Sequence, residues 1–153
     1  MGKKVNSDQE ILEFAISKEV EAYHFFLALA GRVEDPRMRQ VFEDLAAEEL
    51  EHKARLELEI IKTGKTLKEQ QMPPGRAQSD YIMSDSDAPL DIDYMDMLLL
   101  GIEKEDAAFK MFVNLIPTVQ DEESREVLLA LAEEEVRHKI RFQNEYDMLH
   151  KKT

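Results

Sequence analysis

Shifted by 86 residues, this sequence lies on itself without a gap. Leu12, Ile16, Lys18, Glu19, Ala22 and Phe26 fall on Leu98, Ile102, Lys104, Glu105, Ala108 and Phe112. The same shift brings Val41, Leu45, Ala46, Glu48, Glu49, His52, Lys53 and Arg55 onto Val127, Leu131, Ala132, Glu134, Glu135, His138, Lys139 and Arg141. Two copies are too few for a solenoid, and the apolar residues recur at helical spacing. Each half therefore reads as a helical hairpin, and two hairpins that face each other make an all-α four-helix bundle.

Helix-start and helix-stop residues set the limits. Ser7 with Glu10 forms a capping box, and Asp35 precedes Pro36 in a first turn. Asp93 is followed by Asp96, and Asp121 opens the last segment after Pro117. These signals predict helices over about 8–31, 36–63, 94–116 and 122–149, with Gly64 as a stop. The stretch 65–92 contains "MPPGRAQSDYIMSDSDAP" and has no sustained period, so it reads as an extended connection with at most a helical turn near Leu67 to Gln70. A helix of about 25 residues is about 37 Å long, which this connection can span. The order is then hairpin, long crossover, hairpin, within a single domain over 1–153.

Composition narrows the function classes. Apolar residues make up 43% of 153, which is enough to bury a core. A formal net charge of −13 repels phosphate backbones and anionic lipid, which argues against nucleic-acid or membrane partners. Apolar runs such as "FFLALA" and "MLLLGI" are too short to span a bilayer, and "MGKKVNSDQE" has no apolar signal region behind it, so a cytoplasmic location is expected. The absence of cysteine rules out disulfides, thiolate metal sites and cysteine nucleophiles.

At about 100° per residue, each helix points one carboxylate at the core. Glu19 shares a face with Leu12, Ile16, Tyr23, Phe26 and Ala30, and Glu105 with Leu98, Ile102, Phe109, Phe112 and Ile116. Glu49 lies among Phe42, Leu45, Ala46, Leu56 and Ile60, with His52 one turn on. Glu135 lies among Leu128, Leu131, Ala132, Phe142 and Leu149, with His138 one turn on. Four buried carboxylates at one level repel one another unless protons or cations compensate. Two divalent cations balance them, and the two imidazoles then supply neutral nitrogen ligands. One Glu from each of two helices, plus Glu-x-x-His from the other two, is the ligand pattern of di-iron and di-manganese carboxylate bundles. Oxygen-rich donors with some nitrogen and no sulfur suit two Fe ions, with Mn or a mixed pair as alternatives, better than structural zinc. The predicted metal ligands are Glu19, Glu49, His52, Glu105, Glu135 and His138.

Other residues read more plainly. Glu21 and His24 also form Glu-x-x-His, but they lie about 200° and 140° from Glu19, so both are expected at the surface. Glu48, Glu51 and Glu134 make a charged flank, in which Glu48 or Glu134 is placed to orient a ligand histidine. Tyr23 is core, with a redox relay as the sharper alternative, although its counterpart is Phe109. His150 reads as solvated and the methionines as core filling.

The segments "ISKEVEAYHFF", "LAAEELEHKARLE", "IEKEDAAFKMF" and "LAEEEVRHKIRF" resemble the four helices of the rubrerythrin branch of the ferritin-like superfamily. The resemblance spans nearly all of the chain except the middle link and the ends. It implies a ferritin-like bundle in which Glu49 and Glu135 bridge two metals. Glu19, Glu105, His52 and His138 would then be terminal ligands. Standard rubrerythrins also carry a four-cysteine rubredoxin domain, which this sequence lacks, so electrons would come from an external donor protein. Their further carboxylate, three residues after the third-helix Glu, is Ala108 here, which implies a more symmetric site. Bacterioferritin shares the six ligands, but its haem-binding Met, just after the second-helix Glu, is Leu50 here. The resemblance implies a non-haem di-iron oxidoreductase of oxidative-stress chemistry, with hydrogen peroxide or O2 as substrate, in a homodimer whose hairpins can exchange. Two other functions share the pattern: ferroxidase or iron storage, and a bundle stapled by metal that serves a partner.

Overall fold

The computed structural model describes residues 7–63 and 93–152. Helix α1 is Asp8–Ala30, α2 is Pro36–Lys62, α3 is Tyr94–Leu115 and α4 is Glu122–Lys152, with a short 3-10 turn at Ile116–Thr118. The expected connection over 65–92 and the turn near Leu67 to Gln70 lie outside the described residues, as does Gly64. Among the described residues no helix is long and apolar enough to cross a membrane.

The helix starts follow their caps. Ser7 and Glu10 form the reciprocal box. Asp35 accepts from the amide of Arg37 at 2.8 Å, Asp93 from Asp96 at 2.8 Å and Asp121 from Ser124 at 2.8 Å. Each carboxylate satisfies an orphan donor of the first turn and sits at the positive end of the helix dipole.

The repeat extends into the hairpin turns. Arg39 donates from its guanidinium to the carbonyls of Val33 and Glu34, and Arg125 donates in the same way to Val119 and Gln120. Val33 and Val119, the matching residues, are both buried. The two hairpins are also joined directly, because Asp8 accepts from the amides of Gln120 and Asp121 at 2.8 and 2.9 Å.

Helix α1 packs mainly on α2 and α3 mainly on α4. Two apolar layers result. One contains Ile11 to Ile16 of α1, Leu56 and Ile60 of α2, Phe112 of α3, and Leu128 to Ala132 of α4. The other contains Ala22 to Ala30 of α1, Phe42 to Ala46 of α2, Met97 and Leu98 of α3, and Phe142 of α4. Helices α1 and α4 run from the first layer to the second, and α2 and α3 run the opposite way. The end of α2 and the start of α3 thus stand at opposite ends of the bundle.

Gly101 lies where α3 meets α4. A Cβ there would stand 2.7 Å from the Phe142 ring, which is itself fully buried. Alanine gains about 1 kcal/mol of helix propensity over glycine, but forcing a packed core apart costs about 1–3 kcal/mol. Gly101→Ala is therefore expected to lower stability, read as a reduced denaturation midpoint in urea. An unchanged or higher midpoint would show that Phe142 can move aside freely.

Candidate metal centre

Between the two apolar layers every helix contributes a buried carboxylate. Glu19 is 2% exposed, Glu49 1%, Glu105 1% and Glu135 0%. His52 and His138 lie one turn beyond Glu49 and Glu135 and are also buried. The structure brings together all six residues that the sequence singled out.

They form two overlapping groups, Glu19, Glu49, His52 and Glu135, and Glu49, Glu105, Glu135 and His138. Within each group the donor atoms lie within 4.8 Å of one another. Glu49 and Glu135 belong to both. His52 Nδ1 stands 3.5 Å from Glu19 Oε2, 3.5 Å from Glu49 Oε1 and 3.4 Å from Glu135 Oε2. His138 Nδ1 stands 3.5 Å from Glu105 Oε2, 3.4 Å from Glu135 Oε1 and 3.9 Å from Glu49 Oε2. Each shared carboxylate thus turns one oxygen to each half, which is the geometry of a bridge. The imidazole rings lie parallel, with centroids 5.7 Å apart.

The outer nitrogens are held from the opposite hairpin. His52 Nε2 is 2.8 Å from Glu134 Oε1, and His138 Nε2 contacts Glu48 Oε1. A carboxylate accepting the Nε2 proton leaves the Nδ1 lone pair facing the cluster, the tautomer a metal ligand requires. The charged flank expected to orient one histidine orients both.

Glu19 Oε2, Glu49 Oε1, Glu105 Oε2, both oxygens of Glu135, and Nδ1 of both histidines are buried without a hydrogen-bond partner in the protein. Burying one such atom costs about 1–3 kcal/mol, and seven of them converge here on two centres. A pair of cations satisfies all seven, so the residues fit a metal site. Burial raises the pKa of Glu19. Burial, and then the charges of neighbouring carboxylates, raise Glu49. Burial and contact with Glu135 raise Glu105. Burial also pushes Glu135 upward, but contacts with Glu105, His138 and His52 outweigh it and hold this carboxyl at about 2. Burial alone would lower both histidines, yet the carboxylates around them raise both.

Three readings of single residues need amendment or addition. His24 is not at the surface: it is 2% exposed, and burial lowers its pKa. Its wheel angle gives a direction but not what covers that side, where the Tyr23 ring meets it edge-on at 5.0 Å. Tyr23 itself packs against the second apolar layer and, among the described residues, makes no hydrogen bond to the cluster. Glu59, which drew no notice in the sequence, is 2% exposed and accepts from Ser124 Oγ at 3.1 Å. His150 is exposed, as expected, and stacks on Tyr146.

The pKa directions set the pH dependence. A group whose pKa is raised on folding stabilises the fold below its ordinary value and loses that contribution as pH rises. Glu19, Glu49, Glu105, His52 and His138 all act in this sense. Glu135 acts oppositely, but its contribution is lost only as pH falls toward about 2. The metal-free bundle should therefore weaken from mild acid to neutral pH, where bound metal replaces the protons. Chelation is expected to lower the melting temperature clearly at pH 7 and much less at about pH 5. Equal melting at pH 7 with and without metal, in protein carrying two metals per chain, would contradict this.

The Rubrerythrin family matches residues 10–146, a span that takes in all of α2 and α3, most of α1 and α4, and all six clustered residues. Among solved structures, "Hypothetical Protein Pfu-1136390-001 From Pyrococcus furiosus" is similar at 24% identity and a TM-score of 0.69 over 95% of this chain and 91% of that one, a likeness of fold. No curated protein matches the sequence. With a buried carboxylate–histidine cluster in an all-α ferritin-like bundle, and a family match over most of its length, this chain belongs to the Rubrerythrin family.

Proposed function

We propose that the cluster is a di-iron centre that reduces hydrogen peroxide, or O2, with electrons from an external donor protein. The observation that carries this reading is the sharing of Glu49 and Glu135 between two groups of otherwise unpartnered donor atoms. In this reading Glu49 and Glu135 would each help to hold both irons. Glu19 with His52, and Glu105 with His138, complete the two ends. The irons supply the redox chemistry, which for peroxide is H2O2 + 2 e⁻ + 2 H⁺ → 2 H2O. Glu134 and Glu48 fix the imidazole planes from outside. The apolar layers above and below keep bulk water from the cluster.

Access for a small substrate lies between α1 and α3. A cavity of about 230 Å³ opens there, lined by Glu19, Glu21, Ala22, Ala107, Ala108, Met111 and the two lysines Lys18 and Lys104. The small side chains of Ala22 and Ala108 leave this gap beside Glu19. Its two lysines balance Glu19 and Glu21, so the opening carries no net negative charge to gather cations. The acids on the opposite face, between α2 and α4, support ferroxidase or iron handling as a second reading. An opening there is lined by Glu48, Glu51 and Glu134, with Arg137 and Arg141, beside His138. A homodimer in the cytoplasm completes the proposal.

Protein purified without chelator is expected to hold two irons per chain and to consume peroxide when a reductant is supplied. Glu49→Ala and Glu135→Ala should lower iron content alike, and each should cut turnover on the order of tenfold or more. His24→Ala should keep the iron, with some loss of stability by circular dichroism. Uptake of many irons per chain without peroxide turnover would favour iron handling. Loss of iron in a folded His24→Ala protein would break the assignment of ligands.

A further inference from the structure

Arg55 and Arg141 occupy matching positions of the repeat, yet they hold different partners. Arg55 Nη1 donates to Glu134 Oε2 at 2.7 Å, while Glu134 Oε1 lies 2.8 Å from His52 Nε2. Both oxygens of Glu134 are engaged, so the chain Arg55, Glu134, His52 fixes that imidazole. Strict symmetry would run Arg141 to Glu48 and Glu48 to His138. The second contact is present. The first is not, because Arg141 Nη2 lies 3.5 Å from Asp44 Oδ2 instead.

One residue accounts for the difference. Asp44 stands one turn before Glu48 on α2 and takes up Arg141. The matching position on α4 is Ala130, which offers Arg55 no competing acceptor. Without its brace the Glu48 side chain is 42% exposed, against 29% for Glu134. His138 is 8% exposed in its side chain, and His52 is 0%. The opening between α2 and α4 reaches His138 and not His52, and it is lined by Glu48, Glu51 and Glu134 together with Arg137 and Arg141.

We propose that Asp44 makes the two halves of the centre unequal, so that the Glu105–His138 half exchanges its divalent cation through the opening beside His138 while the Glu19–His52 half retains its own. The proposal rests on the two-metal reading of the cluster, and not on peroxide chemistry. A carboxylate that holds a ligand histidine in orientation typically changes metal affinity 10–100-fold. Glu134, held at both oxygens, keeps His52 aimed. Glu48, held among the described residues by His138 alone, can swing into solvent and let the ring turn away. Glu48 and Glu134 act here as positioning residues.

Cobalt(II) is a suitable probe, because its visible absorption reports each ion as it leaves. Protein loaded with two Co²⁺ per chain and mixed with excess EDTA is expected to lose cobalt in two phases of equal amplitude. The rates should differ by about tenfold or more. Asp44→Ala frees Arg141 to brace Glu48 and should slow the fast phase toward the slow one. Ala130→Asp offers Arg55 a competing acceptor and should quicken the slow phase. Neither position is buried, and circular dichroism checks that both variants fold. Loss of both ions at one rate from the unsubstituted protein, or an unchanged fast phase in Asp44→Ala, would overturn the inequality alone. Uptake of fewer than two Co²⁺ per chain would overturn the two-metal reading together with it.

Discussion

Four carboxylates meeting in an apolar interior are the constraint to which this bundle is built. Taking each uncompensated charge out of water costs several kcal/mol, and their mutual repulsion adds to it. The fold can tolerate it only with positive charge or protons between them. In the metal-free cluster the imidazoles relieve part of it, since the surrounding carboxylates outweigh burial and favour their protonation. The competition leaves a cluster that must carry either protons or cations. Its helices, caps and apolar layers hold it at mid-height, away from water that would otherwise solvate the charges.

The apolar layers explain how so polar a centre is held. Each helix enters one layer, crosses the polar level with a Glu, and ends in the other layer. Phe26, Phe42 and Phe142 pack together on one side, with ring centroids 5.8 Å apart for both Phe26–Phe142 and Phe42–Phe142. Leu12, Ile16, Leu56, Phe112, Leu128 and Leu131 close the other. The hydrophobic stabilisation that offsets the buried charge therefore comes from both ends of the bundle, and neither end alone encloses the cluster.

Much of this was legible in the sequence because it depends on local rules. The helical angle places Glu19, Glu49, Glu105 and Glu135 in the middle of apolar stripes whatever the neighbouring helices do. The caps at Ser7, Asp35, Asp93 and Asp121 follow from side-chain chemistry within one turn. Relations between hairpins were less legible. That Glu134 serves His52 and Glu48 serves His138 depends on how α2 and α4 face each other, and no spacing along the chain encodes it. The different partners of Arg55 and Arg141 turn on Asp44 standing where the second half has Ala130, a difference the repeat shows but does not rank. The burial of His24, on a side turned away from the stripe, depends on cover that an angle cannot report. Glu59 differs again: it lies beside Ile60 at the edge of its stripe, and only Ser124, from the other hairpin, reveals its role.

The layered arrangement also bears on how the helices find their alignment. Sliding any helix by one turn, about 5.4 Å, would push its glutamate into an apolar layer and bring a leucine or phenylalanine into the polar level. Such a slip loses burial and strands a charge at once. The glutamates thus act as detents that stop each helix at one position along the bundle axis, as a buried polar residue fixes register in a coiled coil. Alignment and ligand geometry are then the same event: a bundle able to gather its donors around cations is one whose four helices have already stopped at the right depth.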